Sequence, residues 1–123
     1  MRRILIVDDE HLVADTLSLI FQKNGFSTRA AYSADEALDC ARVFVPDLLL
    51  CDINMPEKDG LDLISSMDRE QPACRILVLT GAYSCLNRVR QRASEARHTF
   101  SVMTKPCHPS DLLRCAGELL VSV

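Results

Sequence analysis

The sequence lacks the patterns that mark membrane-spanning and secreted proteins. Its longest apolar run is far shorter than the roughly 20 residues that a transmembrane helix needs, and no secretory signal pattern opens it. The six cysteines are widely scattered and include no C-x-x-C pair, and the three histidines share no metal-ligand spacing. We therefore expect a cytoplasmic protein without membrane contact, whose cysteines are reduced thiols and whose histidines lie at the surface.

The sequence also has no basic run and no alternation of basic with aromatic residues, the usual marks of a nucleic-acid-binding surface. Its 14 Lys and Arg are outnumbered by 17 Asp and Glu, so the formal net charge is −3. Direct binding to nucleic acid is therefore not expected. Internal repeats and low-complexity linkers are absent as well. Because 123 residues are enough for one domain only, we expect residues 1–123 to form a single domain.

The sequence does contain a regular alternation of strand and helix patterns. Short apolar runs predict strands at residues 4–7, 47–51, 76–79 and 100–103, and a weaker run at 26–31 predicts a strand near a sheet edge. Helices are predicted after residue 10, from 33 to 42, from 61 to 69, within 82–99 and from 109 onward. The apolar residues of the first helix are Leu12, Leu17, Ile20 and Phe21. This alternation predicts an α/β fold, with helices on both faces of a doubly wound, five-stranded parallel sheet.

Polar residues follow four of the predicted strands. Asp8 and Asp9 follow the first strand, Asp52 the third, Thr80 the fourth and Lys105 the fifth. If these strands are parallel neighbours, the five side chains emerge at one edge of the sheet, where α/β proteins bind ligands. Three carboxylates at one place require a cation to offset their repulsion, and hard oxygen ligands with room for water suit Mg²⁺.

Such a pocket would attract a phosphoryl group. The metal ion and the ammonium group of Lys105 would neutralise the phosphoryl oxygens, while one carboxylate is positioned for in-line attack on phosphorus. The hydroxyl group of Thr80 can donate a hydrogen bond to the resulting phosphate. The sequence therefore predicts a site for Mg²⁺ and phosphate. The simpler interpretation of Asp8 and Asp9 is that they cap the helix that follows, which is compatible with metal binding.

In this order and spacing, the motifs resemble those of the response-regulator receiver domains of two-component signalling, whose fold is CheY-like. The similarity covers nearly the whole chain. Its motifs are the acidic pair Asp8-Asp9, the segment Asp-Ile-Asn-Met-Pro-Glu-Lys-Asp-Gly from Asp52, Thr80 with a small neighbour, and Lys105-Pro106. The resemblance implies the strand order 2-1-3-4-5 and a receiver domain with no output domain in this chain. It also implies phosphorylation of Asp52 by a histidine kinase or a histidine phosphotransfer protein.

The resemblance further assigns the ligands of the metal ion. Asp9, Asp52 and the backbone carbonyl of Asn54 would hold Mg²⁺, with Asp8 acting directly or through a water molecule. Apart from self-phosphorylation and self-dephosphorylation at Asp52, no enzyme activity is expected. The signal would pass to another protein, which could be a second copy of this chain in a phosphorylation-dependent homodimer.

The sequence departs from the family where the phosphate is sensed. Thr80 and Lys105 would shift toward the phosphate, but receivers commonly have Tyr or Phe three residues before the strand-end lysine, and this chain has Val102. The usual Gly-Ala ahead of the last strand is missing too. We therefore expect an intact phosphorylation site whose coupling to the output surface is altered.

Three alternatives remain open from the residues alone. A flavodoxin-like electron carrier would need a phosphate-binding loop after the first strand, where this chain has Asp8-Asp9-Glu10. A haloacid-dehalogenase-like phosphatase would need a second aspartate two positions after Asp52, where this chain has Asn54. The third alternative, which Val102 favours, is a receiver-fold docking or dimerisation module that no longer signals by phosphate.

Overall fold

The apolar runs of the sequence form the strands of one sheet in the computed structural model, which describes residues 2–52, 60–80, 100–104 and 107–121. The strands are β1 (Arg3–Val7), β2 (Ser27–Ala31), β3 (Leu48–Asp52), β4 (Arg75–Thr80) and β5 (Phe100–Thr104). The helices of the described residues are α1 (His11–Lys23), α2 (Ala34–Phe44), α3 (Gly60–Glu70) and α4 (Pro109–Val121). The helix predicted within 82–99 lies outside the described residues.

All four strand pairings are parallel, and the strand order is β2-β1-β3-β4-β5. This confirms the predicted fold class and strand order, and it confirms the position of β2 at an edge. The register aligns Val7 of β1 with Cys51 of β3, and Cys51 with Val78 of β4. Because the central strands are in step, their carboxyl ends lie together on one side of the molecule.

The sheet separates two apolar cores, because alternate side chains of a strand point to opposite faces. On one face, Leu5 and Leu49 pack with residues of α2 and α3. On the other face, Ile6 and Leu50 pack with residues of α1 and α4. The prediction of helices on both faces is therefore confirmed. No helix in the described ranges has both the length and the apolar character needed to cross a bilayer.

Three strands, β3, β4 and β5, extend one residue further at their carboxyl ends than the sequence predicts. Asp52 is the last residue of β3 and aligns with Leu79, and Thr80 is the last residue of β4 and aligns with Thr104. A polar side chain at a strand end suggests a loop, but the backbone of both residues still belongs to the sheet ladder. The ladder therefore fixes the backbones of both candidate site residues.

Helix α1 does not bury all of the apolar residues that predicted it. Phe21 is fully buried, whereas the side chain of Leu12 is 79% exposed. Leu12 lies nine residues before Phe21, which is two and a half turns at 3.6 residues per turn, so the two side chains lie on opposite sides of α1. The helix is therefore correctly predicted, but Leu12 is not one of its buried residues. Helix α2 begins as predicted, with the hydroxyl oxygen of Ser33 accepting a hydrogen bond of 3.1 Å from the backbone N–H of Glu36.

Candidate functional site

Three carboxylates meet at the carboxyl ends of β1 and β3. Asp8 and Asp9 directly follow β1, and Asp52 ends the neighbouring β3. One oxygen from each residue lies within 4.8 Å of the others. Asp8 is 2% exposed and Asp52 is 6% exposed, while Asp9 is half-buried. The structure therefore brings together the three acidic residues that strand-end reasoning selects, and we call them the acidic cluster.

The acidic cluster concentrates like charges where little water can screen them. Two carboxylates removed from water at this separation cost free energy, and a cation between them offsets that cost. The three side chains offer hard carboxylate oxygens within 4.8 Å of one another. This donor set fits Mg²⁺, which accepts a few carboxylates and completes its octahedron with water or phosphate oxygens.

The backbone around the acidic cluster is held by specific hydrogen bonds. The N–H of Asp8 donates to the carbonyl oxygen of Ala31 at the end of β2, at 3.2 Å. The side chain of Asp8 accepts a hydrogen bond of 3.0 Å from the N–H of Glu10. The backbone of Asp52 is fixed by its pairing with β4 in the sheet. Its carbonyl oxygen also accepts a hydrogen bond of 3.3 Å from the thiol of Cys51. Cys51 is fully buried in the core beneath α2 and α3.

Thr80 lies on the strand next to Asp52. Asp52 aligns with Leu79, so Thr80 is one position further toward the carboxyl edge, and its side chain is fully buried. Thr80 aligns in turn with Thr104, the last residue of β5, directly before Lys105 in the sequence. The described part of the predicted site therefore follows the edge of three adjacent strands. Lys105 and Asn54, the other two predicted site residues, lie outside the described residues.

The structure adds two aromatic rings that the sequence analysis did not place at this edge. The imidazole of His11 stacks on the phenol of Tyr32, with ring centres 3.8 Å apart and planes inclined by 17°. The hydroxyl of Tyr32 donates a hydrogen bond of 2.6 Å to Oδ1 of Asp15. This bond is the main reason that the pKa of Tyr32 is raised above its ordinary value. Tyr32 directly follows β2, so extending the strand-end argument to the edge strand could have found it.

The cysteines of the described residues are all free, as expected. Burial raises the pKa of Cys74 to about 12, and it also raises the pKa values of Cys40 and Cys115. A thiol with a raised pKa is a poor nucleophile at neutral pH, because the thiolate is the reactive form. These cysteines are therefore suited to packing rather than to chemistry.

The sheet is parallel with strand order 2-1-3-4-5, and carboxylates lie together at the carboxyl ends of its central strands. These features define the protein as a doubly wound α/β domain with an acidic site. The family model described as "Response regulator receiver domain" matches residues 4–116. The chain therefore belongs to the response regulator receiver domain family. Membership confirms the resemblance and argues against the electron-carrier and phosphatase alternatives.

Relatives of known name or structure agree with this membership. The chain is 26% identical over 111 residues to the cell cycle transcriptional regulator CtrA of Caulobacter vibrioides. The aligned residues are 90% of this chain and 47% of CtrA. The chain therefore spans about half the length of the curated relatives that it matches. A CheY-like receiver domain protein from Methanospirillum hungatei is 29% identical with a TM-score of 0.89, over 98% of this chain and 94% of that one. NtrX from Brucella abortus is 27% identical with a TM-score of 0.85, over 98% of this chain and 27% of NtrX.

Proposed function

We propose that the protein is a phosphoacceptor switch in which Asp52 takes a phosphoryl group from a histidine kinase or a histidine phosphotransfer protein. The observation that supports this most directly is the approach of Asp8, Asp9 and Asp52 to within 4.8 Å of one another. Receiver domains of response regulators are phosphorylated by these two classes of donor. The assignments of residues 1–123 to one domain without an output domain, and of the protein to the cytoplasm, stay predictions.

Asp52 is suited to act as the nucleophile because its backbone is fixed while its side chain lies in the acidic cluster at the carboxyl edge of the sheet. One of its carboxylate oxygens would form a bond to phosphorus as the bond between phosphorus and the donor's imidazole nitrogen breaks. The electron pair of the broken bond stays on that nitrogen, and the product is an acyl phosphate. The ladder pairing with Leu79 reduces the freedom that the carboxylate must lose before reaction.

The neighbouring carboxylates would serve as metal ligands. Asp9, Asp52 and the backbone carbonyl of Asn54 would hold Mg²⁺, with Asp8 binding directly or through water. When bound, Mg²⁺ would neutralise charge on the phosphoryl oxygens. Asp8 and Asp9 do not themselves react, and the buried position of Asp8 keeps its carboxylate beside that of Asp52.

Readout would begin at Thr80 and Lys105. The Thr80 hydroxyl would donate a hydrogen bond to the phosphate, and the Lys105 ammonium would pair with its charge. Because Thr80 aligns with Thr104, movement at Thr80 would be transmitted to β5. Val102 of the same strand packs against the core beneath α2 and α3, so a small aliphatic side chain would take the place of the usual aromatic one. The partner that senses this change would be another protein or a second copy of the chain.

The proposal is tested by phosphorylation with a small donor. The purified protein is incubated with acetyl phosphate and Mg²⁺, and its intact mass is measured. We expect one added phosphoryl group, absent when Mg²⁺ is chelated and absent in Asp52→Asn. The matched control is Asp62→Asn in α3, which removes an exposed carboxylate and should leave the modification unchanged. Equal modification of the wild type and Asp52→Asn would contradict the assignment of Asp52.

A second candidate function is docking or dimerisation that does not depend on phosphate, which Val102 favours. The two candidates differ in one measurement, the molar mass of the protein in solution before and after phosphorylation. A phosphorylation-dependent change supports the switch. A dimer of equal stability in the wild type and Asp52→Asn, with and without acetyl phosphate, supports the docking module.

A further inference from the structure

Ala31, the last residue of β2, and Tyr32, which directly follows it, make contacts at the two ends of the turn that contains Asp8 and Asp9. We call residues 8–10 the acidic turn. At its first residue, the N–H of Asp8 donates to the carbonyl oxygen of Ala31. Directly after its last residue, the ring of His11 stacks on Tyr32, with ring centres 3.8 Å apart. The end of β2 therefore binds the first residue of the acidic turn through a backbone hydrogen bond, and Tyr32 directly after β2 contacts the residue that follows the turn through a ring stack.

The ring of Tyr32 is itself held in place. Its body is half-buried and packs against the core beneath α1 and α4. Its hydroxyl donates a hydrogen bond of 2.6 Å to Asp15, one helical turn after His11 on the same side of α1. A phenol that is fixed at its edge by a carboxylate and at its base by the core offers a rigid surface to the imidazole. Residues of one helix thus contact Tyr32 at two successive turns.

Beyond the hydrogen bond from the N–H of Glu10 to the side chain of Asp8, the start of α1 has no side-chain cap among the described residues. Glu10 occupies the N-cap position but makes no side-chain capping hydrogen bond within the described residues, and the first turn contains no acidic residue. Without a cap, the first turn of a helix frays readily. The stack of His11 on Tyr32 therefore supplies a constraint on the first turn that a capping side chain would otherwise supply.

We propose that Tyr32 is a positioning residue for the metal site: through His11 it fixes the first turn of α1 and so holds Asp8 and Asp9 at the spacing that Mg²⁺ requires. The inference rests on the proposed function, because it assigns Tyr32 a role at the same site. Tyr32 does not touch the metal ion or the phosphoryl group. It acts through the contact with His11, as outer-shell residues act through the ligands they orient.

The test is Mg²⁺ binding by isothermal titration calorimetry in wild type, Tyr32→Ala, His11→Ala and the double variant. Replacing an outer-shell partner typically weakens metal binding 10–100-fold, so we expect each single substitution to raise Kd by about tenfold. The double variant should bind no more weakly than the weaker single variant, because one contact is lost in all three. Tyr32→Phe keeps the stacking ring but loses the hydrogen bond to Asp15 that helps to hold it, so its Kd should lie between those of wild type and Tyr32→Ala.

Two controls separate positioning from folding. Arg29→Ala removes another aromatic contact of β2, in which the Arg29 guanidinium lies 5.5 Å from the ring centre of Phe44, and it should leave Kd unchanged. All variants are also unfolded thermally without metal, and binding is measured at a temperature at which each is folded. His11 is exposed, so His11→Ala keeps the test valid if Tyr32→Ala does not fold.

The outcomes distinguish this inference from the function on which it rests. If the wild type binds Mg²⁺ and the variants bind it equally well, the positioning role of Tyr32 is wrong and the proposed function stands. Additive losses in the double variant also overturn the inference, because they show that Tyr32 and His11 act separately. If the wild type does not bind Mg²⁺, the proposed function itself fails.

Discussion

Among the described residues, the buried polar side chains are Asp8, Asp52 and Thr80, and all three lie at the carboxyl edge of the sheet. Elsewhere the described core is apolar. A fold that keeps polar groups out of its interior except at one edge incurs a desolvation cost there, and such exceptions are expected at functional sites. The same three positions were identified from the sequence, because each directly follows an apolar strand run.

A buried cysteine gives a prediction about pH at the scale of one residue. The pKa of Cys74 is raised from 9.0 to about 12, mainly by burial, so the folded state keeps its proton where the unfolded state loses it. Its contribution to stability is therefore complete below pH 9 and is lost as the pH rises from 9 toward 12. Above pH 9, the free energy of unfolding of the wild type should fall by up to about 1.4 kcal/mol per pH unit relative to that of Cys74→Ala.

The measurement for Cys74 is urea unfolding under reducing conditions between pH 7 and pH 10.5. Lysine and tyrosine ionisation affects the wild type and Cys74→Ala alike, so the difference between the two curves isolates the thiol. Parallel curves across this range would show that the folded state does not suppress the ionisation of Cys74.

At the scale of elements, the strands were the most predictable part of the chain. Central strands buried on both faces appear as short unbroken apolar runs, and β1, β3 and β4 are such strands. Their ends were predicted less well, because Asp52 and Thr80 have the side chains of loop residues but backbones that still pair. The exposure of Leu12 follows from helical periodicity, because the nine residues from Leu12 to Phe21 are two and a half turns and place Leu12 opposite the buried side of α1.

The end of α2 supplies a prediction about backbone strain. Val45 has φ of 50° and ψ of 73°, in the left-handed region that a β-branched residue rarely adopts. Asparagine tolerates this conformation far better. Because Val45 is 49% exposed, only about half of its apolar surface is buried, and the loss of that burial offsets part of the strain that is relieved. Val45→Asn should raise the free energy of unfolding by about 0.5–1 kcal/mol.

The matched control for Val45→Asn is Val43→Asn. Val43 lies in the same helix and is 87% exposed, but it has no positive φ. It should be neutral or slightly destabilising, because asparagine is a poor helix former. Chemical denaturation of both variants is the check, and an equal effect of the two substitutions would mean that the backbone of Val45 is not strained.

At the scale of the whole molecule, the acidic cluster depends on topology more than on any single segment. The chain places Asp8 and Asp52 forty-four positions apart, and the strand order β2-β1-β3-β4-β5 brings their strands side by side. The alternation of strands and helices was sufficient to predict this convergence. The stack of His11 on Tyr32 was not predictable, because it depends on how the β2 end and the first turn of α1 meet in three dimensions.

The central claim is that the gathered carboxylates form a Mg²⁺ site, and its most direct test is thermal unfolding of wild type and Asp9→Asn with and without Mg²⁺. At a free concentration of 100 times its Kd, a ligand that binds only the folded state raises the free energy of unfolding by about 2.7 kcal/mol. For a domain of this size, that corresponds to a rise in Tm of roughly 10 °C. Asp9→Asn should be at least as stable as wild type without metal, because repulsion is relieved, and should lose most of the Mg²⁺-dependent rise. Asp62→Asn should keep the full rise. An equal rise in Tm for wild type and Asp9→Asn would contradict the claim.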